Sequence, residues 1–421
     1  MMMAAALGVL VSCGSVKSGE EAIAASRESK VVVAYVTSWS EVMPDPQYMT
    51  HINYAFGHVN ESFNGVKIDN EERLRQIVDL RKQKPELKVL LSIGGWGSGR
   101  FSEMAANDEY RRAFAADCDR VVKEFALDGI DIDWEYPTSS MANISSSPDD
   151  TENFTLLMQD IRAAIGNEKE LTLATVASAR YIDFKAILPS VDFVNIMAYD
   201  MASAPKHHSA LYPSGHSGDI TSDGAVTAHL KAGVPPSKLV MGMPFYGRGG
   251  DGYPSFQDYN KVGNTDTQYT EKWDEVAQVP YLADKNDTLV FGFENPRSLA
   301  IKCQYILDKD LLGGMYWDYS GDNEQGDLRR TVAENLLGKP HKAKVLVLTE
   351  RGGQHGGFTD AGLRWLAAEG AKGNFSITEI NNARNITEAY LSQFSLVIQL
   401  DFPPYTWPKE AEDAFVKYIE E

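Results

Sequence analysis

The chain has 421 residues, 43% of them hydrophobic, enough for one large domain and part of another. Its formal net charge of -19 disfavours nucleic acid and anionic substrates as partners and leaves a neutral substrate open. The three cysteines, Cys13, Cys118 and Cys303, have neither metal-ligand spacing nor the density of a disulfide framework, so no metal and no cofactor is expected.

Residues 1–12 form a short apolar stretch, too short to span a bilayer, that ends in Leu10-Val11-Ser12-Cys13-Gly14. The polar run 14–30 that follows reads as a tether. The end of the stretch resembles the bacterial lipobox, whose cysteine is lipidated and becomes the mature N-terminus. That resemblance implies lipidation at Cys13, membrane contact only through the lipid anchor, and a place in the bacterial envelope. No Lys or Arg precedes the apolar run, a departure from the pattern that would fit a start further upstream.

From residue 31 the chain alternates. Apolar, β-branched-rich runs at 31–36, 51–56, 88–93, 129–135, 171–177, 193–199, 239–245 and 314–317 predict eight strands. Stretches of helical period lie between most of them, at 71–84, 109–126, 151–165, 224–232, 296–308 and 325–337. Strands alternating with helices in this number predict an α/β fold of the (β/α)8 TIM-barrel type rather than an open doubly wound sheet. No G-x-G-x-x-G follows the first strand, so a dinucleotide fold has little support. Catalytic residues of such barrels sit at the C-terminal ends of the strands, where Glu135, Tyr199, Asp200 and Trp317 fall.

The run 128–135 carries the chemistry. Asp131, Asp133 and Glu135 stand two residues apart, with Ile130, Ile132 and Trp134 between them. Side chains of a strand alternate faces, so the acids share one face and the apolar residues the other. If the apolar face packs on helices, three carboxyls converge inside the barrel, where they cannot all stay ionised at neutral pH. Stability does not select that arrangement, but acid/base chemistry does, because crowding lifts one carboxyl to where it donates a proton near pH 7. A calcium loop would need a glycine turn and polar interleaving. A solvated acidic surface strand is the bland alternative, and the flanks oppose it: a helix end at 121–125, Gly129 as a tight entry, and Tyr136-Pro137 as an abrupt exit.

These residues resemble the DxxDxDxE signature of glycoside hydrolase family 18, the chitinase-like enzymes. Leu91-Ser92-Ile93-Gly94-Gly95-Trp96 resembles the family's SxGG strand, and Met197-Ala198-Tyr199-Asp200 its MxYD strand. Met243-Pro244-Phe245-Tyr246-Gly247-Arg248 resembles its PFYGR segment, and Gly313-Gly314-Met315-Tyr316-Trp317 its closing GGxMxW strand. The resemblance implies a hydrolase acting on β-1,4-linked N-acetylglucosamine, as chitin or chitooligosaccharides. An endo-β-N-acetylglucosaminidase cutting N-glycan cores is the alternative, and an inactive carbohydrate-binding relative stands behind both. It also implies a retaining, substrate-assisted mechanism, an exception among retaining glycosidases. Glu135 would be the general acid/base; Asp133 would hold the acetamido N–H of the sugar and share a proton with Asp131. Tyr199 and Asp200 would hold the acetamido carbonyl and the distorted sugar, and Trp317 would floor the cleavage subsite. Tyr35 and Ser92 would support the charge on the inner aspartates. Met197 and Phe56 are further binding candidates, Trp96, Tyr136 and Arg248 are expected in the groove, and Trp39, Tyr246 and Tyr253 could be wall or core. Oligomeric state is not legible.

The segment 247–288 is polar, aromatic and Gly-rich, and stands where many family members carry an α+β insertion. At about forty residues it reads as too short for a full domain, which predicts a shallower, more open groove. After Lys339-Pro340 a second rhythm begins: a strand at 344–349, a helix at 359–369, strands at 375–380 and 396–400, and a helix at 408–420. It predicts part of a doubly wound α/β domain, truncated in this chain. Arg351-Gly352-Gly353-Gln354-His355, with Phe358-Thr359, resembles the trehalose-utilisation-like branch of the glutamine-amidotransferase fold; His355 reads as a loop residue rather than a catalyst. The expected division is 1–29 signal and tether, 30–339 barrel, and 343–421 partial second domain.

Overall fold

The computed structural model describes residues 30–250, 253–262, 269–338, 343–349, 356–371, 375–392, 394–400 and 406–420. Cys13 with the expected signal and tether, and the segment Arg351 to His355, lie outside the described residues. The chain divides into two compact units, Met1–Lys339 and Pro340–Glu421.

In the first unit the eight expected runs form the strands Val31–Thr37, His51–Val59, Lys88–Gly94, Gly129–Asp133, Glu170–Val176, Phe193–Met197, Leu239–Pro244 and Gly313–Trp317. They pair in parallel in chain order. The first strand also pairs with the last, Val31 opposite Gly313, so the sheet closes into the (β/α)8 barrel the sequence predicts. A short strand, Val66–Ile68, runs antiparallel beside the second barrel strand and extends it.

The fourth barrel strand shows why this sequence folds this way. Ile130, Ile132 and Trp134 belong to the large apolar layer between barrel and helices, and Trp134 stacks on Phe101 at 5.3 Å. The helices Asp108–Glu124 and Asp150–Ile165 bury Phe114, Cys118 and Val121, and Phe154, Leu157 and Ile161, against that layer. Alternation then turns Asp131 and Asp133 into the barrel. Gly129 is a tight entry because a Cβ there would stand 2.0 Å from the Glu170 carbonyl oxygen. The helix Pro296–Asp308, matching its expected bounds, starts on an Asn295/Ser298 capping box with Pro in the first turn.

The segment expected to be too short for a unit of its own makes a small antiparallel sheet. Its strand order is Gln257–Asp258, Tyr246–Gly249, Leu289–Gly292, Val279–Ala283, Thr270–Asp274, around a core of Leu282, Val290, Phe291 and Phe293. The motif-bearing strand Tyr246–Gly249 stands at the start of the expected segment, and the strand Leu289–Gly292 lies just beyond its end at residue 288.

The second unit holds a parallel sheet in the order Phe375–Ile380, Ala343–Thr349, Leu396–Leu400, with helices Gly356–Ala371 and Lys409–Glu420. Alternate residues of its central strand face two apolar clusters, Leu346 and Leu348 toward Leu391 and Trp407, Val345 and Val347 toward Leu366 and Leu400. The likeness to the amidotransferase fold rests on Arg351 to His355. No helix among the described residues is long and apolar enough to cross a membrane.

Candidate active site

At the carboxyl end of the barrel lies a cavity of about 650 Å³. Of the three acids, Asp133 and Glu135 line it, while Asp131 sits one layer below, fully buried. Glu135 stands two residues past the end of its strand, Gly129–Asp133.

Asp131 is saturated with donors. Its Oδ2 accepts from the Tyr35 hydroxyl and from Ser92 Oγ, each at 2.8 Å, and its Oδ1 accepts from Thr172 Oγ1 at 2.6 Å and Asn195 Nδ2 at 3.3 Å. Burial raises its carboxyl pKa, and these donors pull it part of the way back. No hydrogen bond joins Asp131 to Asp133 among the described residues, and both Asp131 oxygens serve neutral donors.

Asp133 is the opposite case. Its Oδ1 is buried without a hydrogen-bond partner. Burial, then the charges of Glu135 and Asp131, push its carboxyl well above the usual carboxylate range. Burial also lifts Glu135, tempered by the adjacent Tyr136 hydroxyl and reinforced by the charge of Asp200, and its carboxyl is pushed up to about 7.

Asp200 follows its strand in a left-handed conformation, φ 54°. Its two oxygens accept from Nε and Nη2 of Arg248, and His208 Nδ1 lies 3.4 Å from it. Burial would raise the Asp200 pKa, but Arg248 and His208 outweigh it and hold the carboxyl below its ordinary range. The Tyr199 hydroxyl points to Met315 Sδ at 3.7 Å. Trp317 lies nearly parallel to Phe56, ring centroids 5.5 Å apart, with Tyr35 at 5.6 Å and Trp39 at 6.4 Å. Together they make an aromatic floor in which Tyr35 and Trp39 tilt by 51° and 53° against the indole.

Of the residues singled out from the sequence, Tyr35, Phe56, Trp96, Tyr136, Met197, Tyr199, Asp200, Arg248 and Trp317 line the cavity with the two acids; Ser92 does not, and acts behind Asp131. Trp39 and Tyr246 prove to be wall, whereas Tyr253 packs on Tyr269 and Phe291 in the insertion core. Thr172 and Asn195 escaped the sequence reading. Thr172 stands opposite Asp131 in the register, a cross-strand neighbour that a run of apolar letters hides. Met141, Tyr181, Met201, Ile220 and Phe256 line it from segments where no periodicity marks them, and Ala174, Val176, Ala177 and Ser178 from the end of the fifth strand and just beyond it.

The sequence profile described as Glycosyl hydrolases family 18 matches residues 31–322. Chitinase A1 of Niallia circulans is 29% identical over 413 residues, a match covering 73% of this chain and 58% of that protein. Chitotriosidase-1 of Mus musculus is 31% identical over 350 residues, covering 70% of this chain and 74% of that protein. Among solved structures, a glycoside hydrolase family 18 N-acetylglucosaminidase from Paenibacillus barengoltzii superposes with a TM-score of 0.67 at 32% identity, over 73% of this chain and 99% of that one. The chain thus spans less than two thirds of the length of the Niallia circulans relative.

Proposed function

The chain belongs to glycosyl hydrolase family 18 as a chitinase-like hydrolase, and from that membership we propose that it cleaves β-1,4-linked N-acetylglucosamine chains, chitin or its oligosaccharides, with the sugar's own acetamido group as nucleophile. The observation that carries this reading is the bare Oδ1 of Asp133. A buried acceptor without a donor is costly, and the N–H of an acetamido group in the cavity satisfies it.

Glu135, protonated near neutral pH, donates to the glycosidic oxygen. The acetamido carbonyl oxygen bonds to the anomeric carbon as the glycosidic C–O bond breaks, and the shortened chain leaves as an alcohol. Asp133 accepts from the acetamido N–H and stabilises the cationic oxazolinium-like intermediate, with Asp131 held behind it by its donors. Glu135, now a carboxylate, takes a proton from water as that water opens the intermediate, so configuration is retained. Tyr199 and Asp200 hold the acetamido carbonyl and the distorted ring. The Trp317 indole, backed by Phe56, offers a flat face to the apolar side of a pyranose.

Product analysis on chitohexaose and on a high-mannose glycoprotein, run side by side, tests the substrate. Shorter chitooligosaccharides released as the β-anomer are expected. Release of N-glycans with chitohexaose left intact would overturn the proposal.

The pH profile follows from Glu135, which must be protonated to act, so kcat/KM falls as pH rises through about 7. In Asp200→Asn the charge that holds Glu135 up is gone and Arg248 loses its counter-charge, both of which lower the Glu135 pKa. The descending limb therefore moves to lower pH, whatever the loss in rate; a limb that stays in place removes it from Glu135.

The proposal extends to Cys13 as a lipid anchor in a bacterial envelope, on the sequence of residues 1–14 alone. Cys13→Ser, expressed in a bacterial host, shifts the protein from the membrane fraction to the soluble one; undiminished membrane association contradicts the anchor.

A further inference from the structure

Trp96 projects into the mouth of the cavity with 62% of its surface exposed and no ring contact among the described residues. With most of the indole exposed, its position depends on the backbone beneath it. That backbone is Gly94-Gly95-Trp96-Gly97-Ser98-Gly99, in which Gly95 and Gly97 adopt φ of 91° and 83°. A loop this rich in glycine has high conformational entropy and holds a shape only where it is tied. Two ties are backbone to backbone: Gly95 N–H donates to the Asp133 carbonyl at 2.9 Å, and Ser98 N–H to the Gly95 carbonyl at 3.0 Å.

The third tie uses side chains from distant parts of the chain. His58 Nδ1 is 2.8 Å from Ser98 Oγ, and His58 Nε2 is 3.0 Å from Asp69 Oδ2. The carboxylate of Asp69 only accepts, so Nε2 carries the hydrogen, and in the neutral ring Nδ1 accepts from the Ser98 hydroxyl. His58 itself is fixed near the end of the second barrel strand, two residues beyond Phe56 in the aromatic floor. Neither His58 nor Ser98 is among the residues that line the cavity.

We propose that His58, oriented by Asp69, is a positioning residue that clamps the Gly-rich loop through Ser98 and so sets where Trp96 stands against the sugar chain. The inference rests on the saccharide reading of the cavity. Loss of the clamp costs binding through Trp96, not chemistry at Glu135. In Ser98→Ala, KM for chitohexaose rises about three- to tenfold, the equivalent of one hydrogen bond, while kcat stays within about twofold. Ser98→Thr, which keeps the hydroxyl, restores the parent KM, and His58→Leu reproduces the alanine phenotype.

A double-mutant cycle separates this from a tie that only stabilises the fold. If the clamp works through Trp96, Ser98→Ala adds less than about twofold to KM in a Trp96→Ala background. Hydrogen exchange of the Gly97 to Arg100 amides accelerates in Ser98→Ala and in His58→Leu and is restored in Ser98→Thr. Additive KM effects, or exchange in that loop unchanged by either variant, overturn the clamp. A parent protein that turns over chitohexaose while Ser98→Ala leaves KM unmoved sinks the clamp alone. A parent that leaves chitohexaose untouched sinks the saccharide reading, and the exchange experiment still decides whether His58 holds the loop.

Discussion

Glu135→Gln is expected to reduce turnover of chitooligosaccharides by roughly three orders of magnitude and to make the protein more stable at alkaline pH. The loss follows because an amide of nearly the same shape has no proton to give. The gain follows from the raised pKa, about 7 in the folded protein against 4.5 for a free glutamate. Below pH 4.5 the carboxyl is protonated in folded and unfolded chains alike and costs nothing. Between 4.5 and about 7 the unfolded chain ionises first, and the folded state is progressively penalised. Above 7 the penalty is complete, about 3 kcal/mol. The variant should therefore unfold at higher denaturant concentration than the parent at pH 8 and at the same concentration at pH 4. Equal midpoints at pH 8 would remove the burial argument, and hydrolysis within tenfold of the parent would remove Glu135 as the acid.

Cellooligosaccharides and fully deacetylated chitosan oligomers are expected to resist cleavage, at rates at least about 10³-fold below those of chitooligosaccharides of the same length. Such chains have the glycosidic bond but lack the acetamido carbonyl oxygen, hence the nucleophile of the proposed scheme, which the C2 amine or hydroxyl in its place does not supply. A thiazoline analogue of the cyclised intermediate should inhibit, for it presents the cation that Asp133 is placed to stabilise. Comparable cleavage of cellohexaose, or a sugar trapped on a protein carboxylate, refutes the substrate-assisted scheme.

The barrel was legible because its strands are covered on both faces, and double burial writes long apolar runs that end where the ladders end. The inward turn of Asp131 and Asp133 was legible from alternation alone. Register is a different matter. That Ser92 and Thr172 stand on either side of Asp131 is fixed by the stagger of three strands, which leaves no trace in any one of them. The strands of the insertion were not legible because they are two to five residues long and interrupted by polar turns, below the length at which alternation is distinct. Phe256 and Tyr181 lie on loops, where side-chain direction follows local turns rather than a period.

The small antiparallel sheet beside the cavity has an asymmetry with evolutionary weight. Its strand nearest the chemistry, Tyr246–Gly249, continues from the seventh barrel strand after Phe245 alone and carries Arg248, whereas its far edge, Thr270–Asp274, is three strands away. That edge shows Thr270 and Glu271 to solvent, with Lys272 next to them, the kind of polar margin that keeps a sheet from pairing by accident. A lineage can lengthen or trim this margin hairpin by hairpin without moving Arg248 or loosening its grip on Asp200. Reach along a polymer and rate at a single bond are thereby open to separate selection, one at the rim and the other at the barrel.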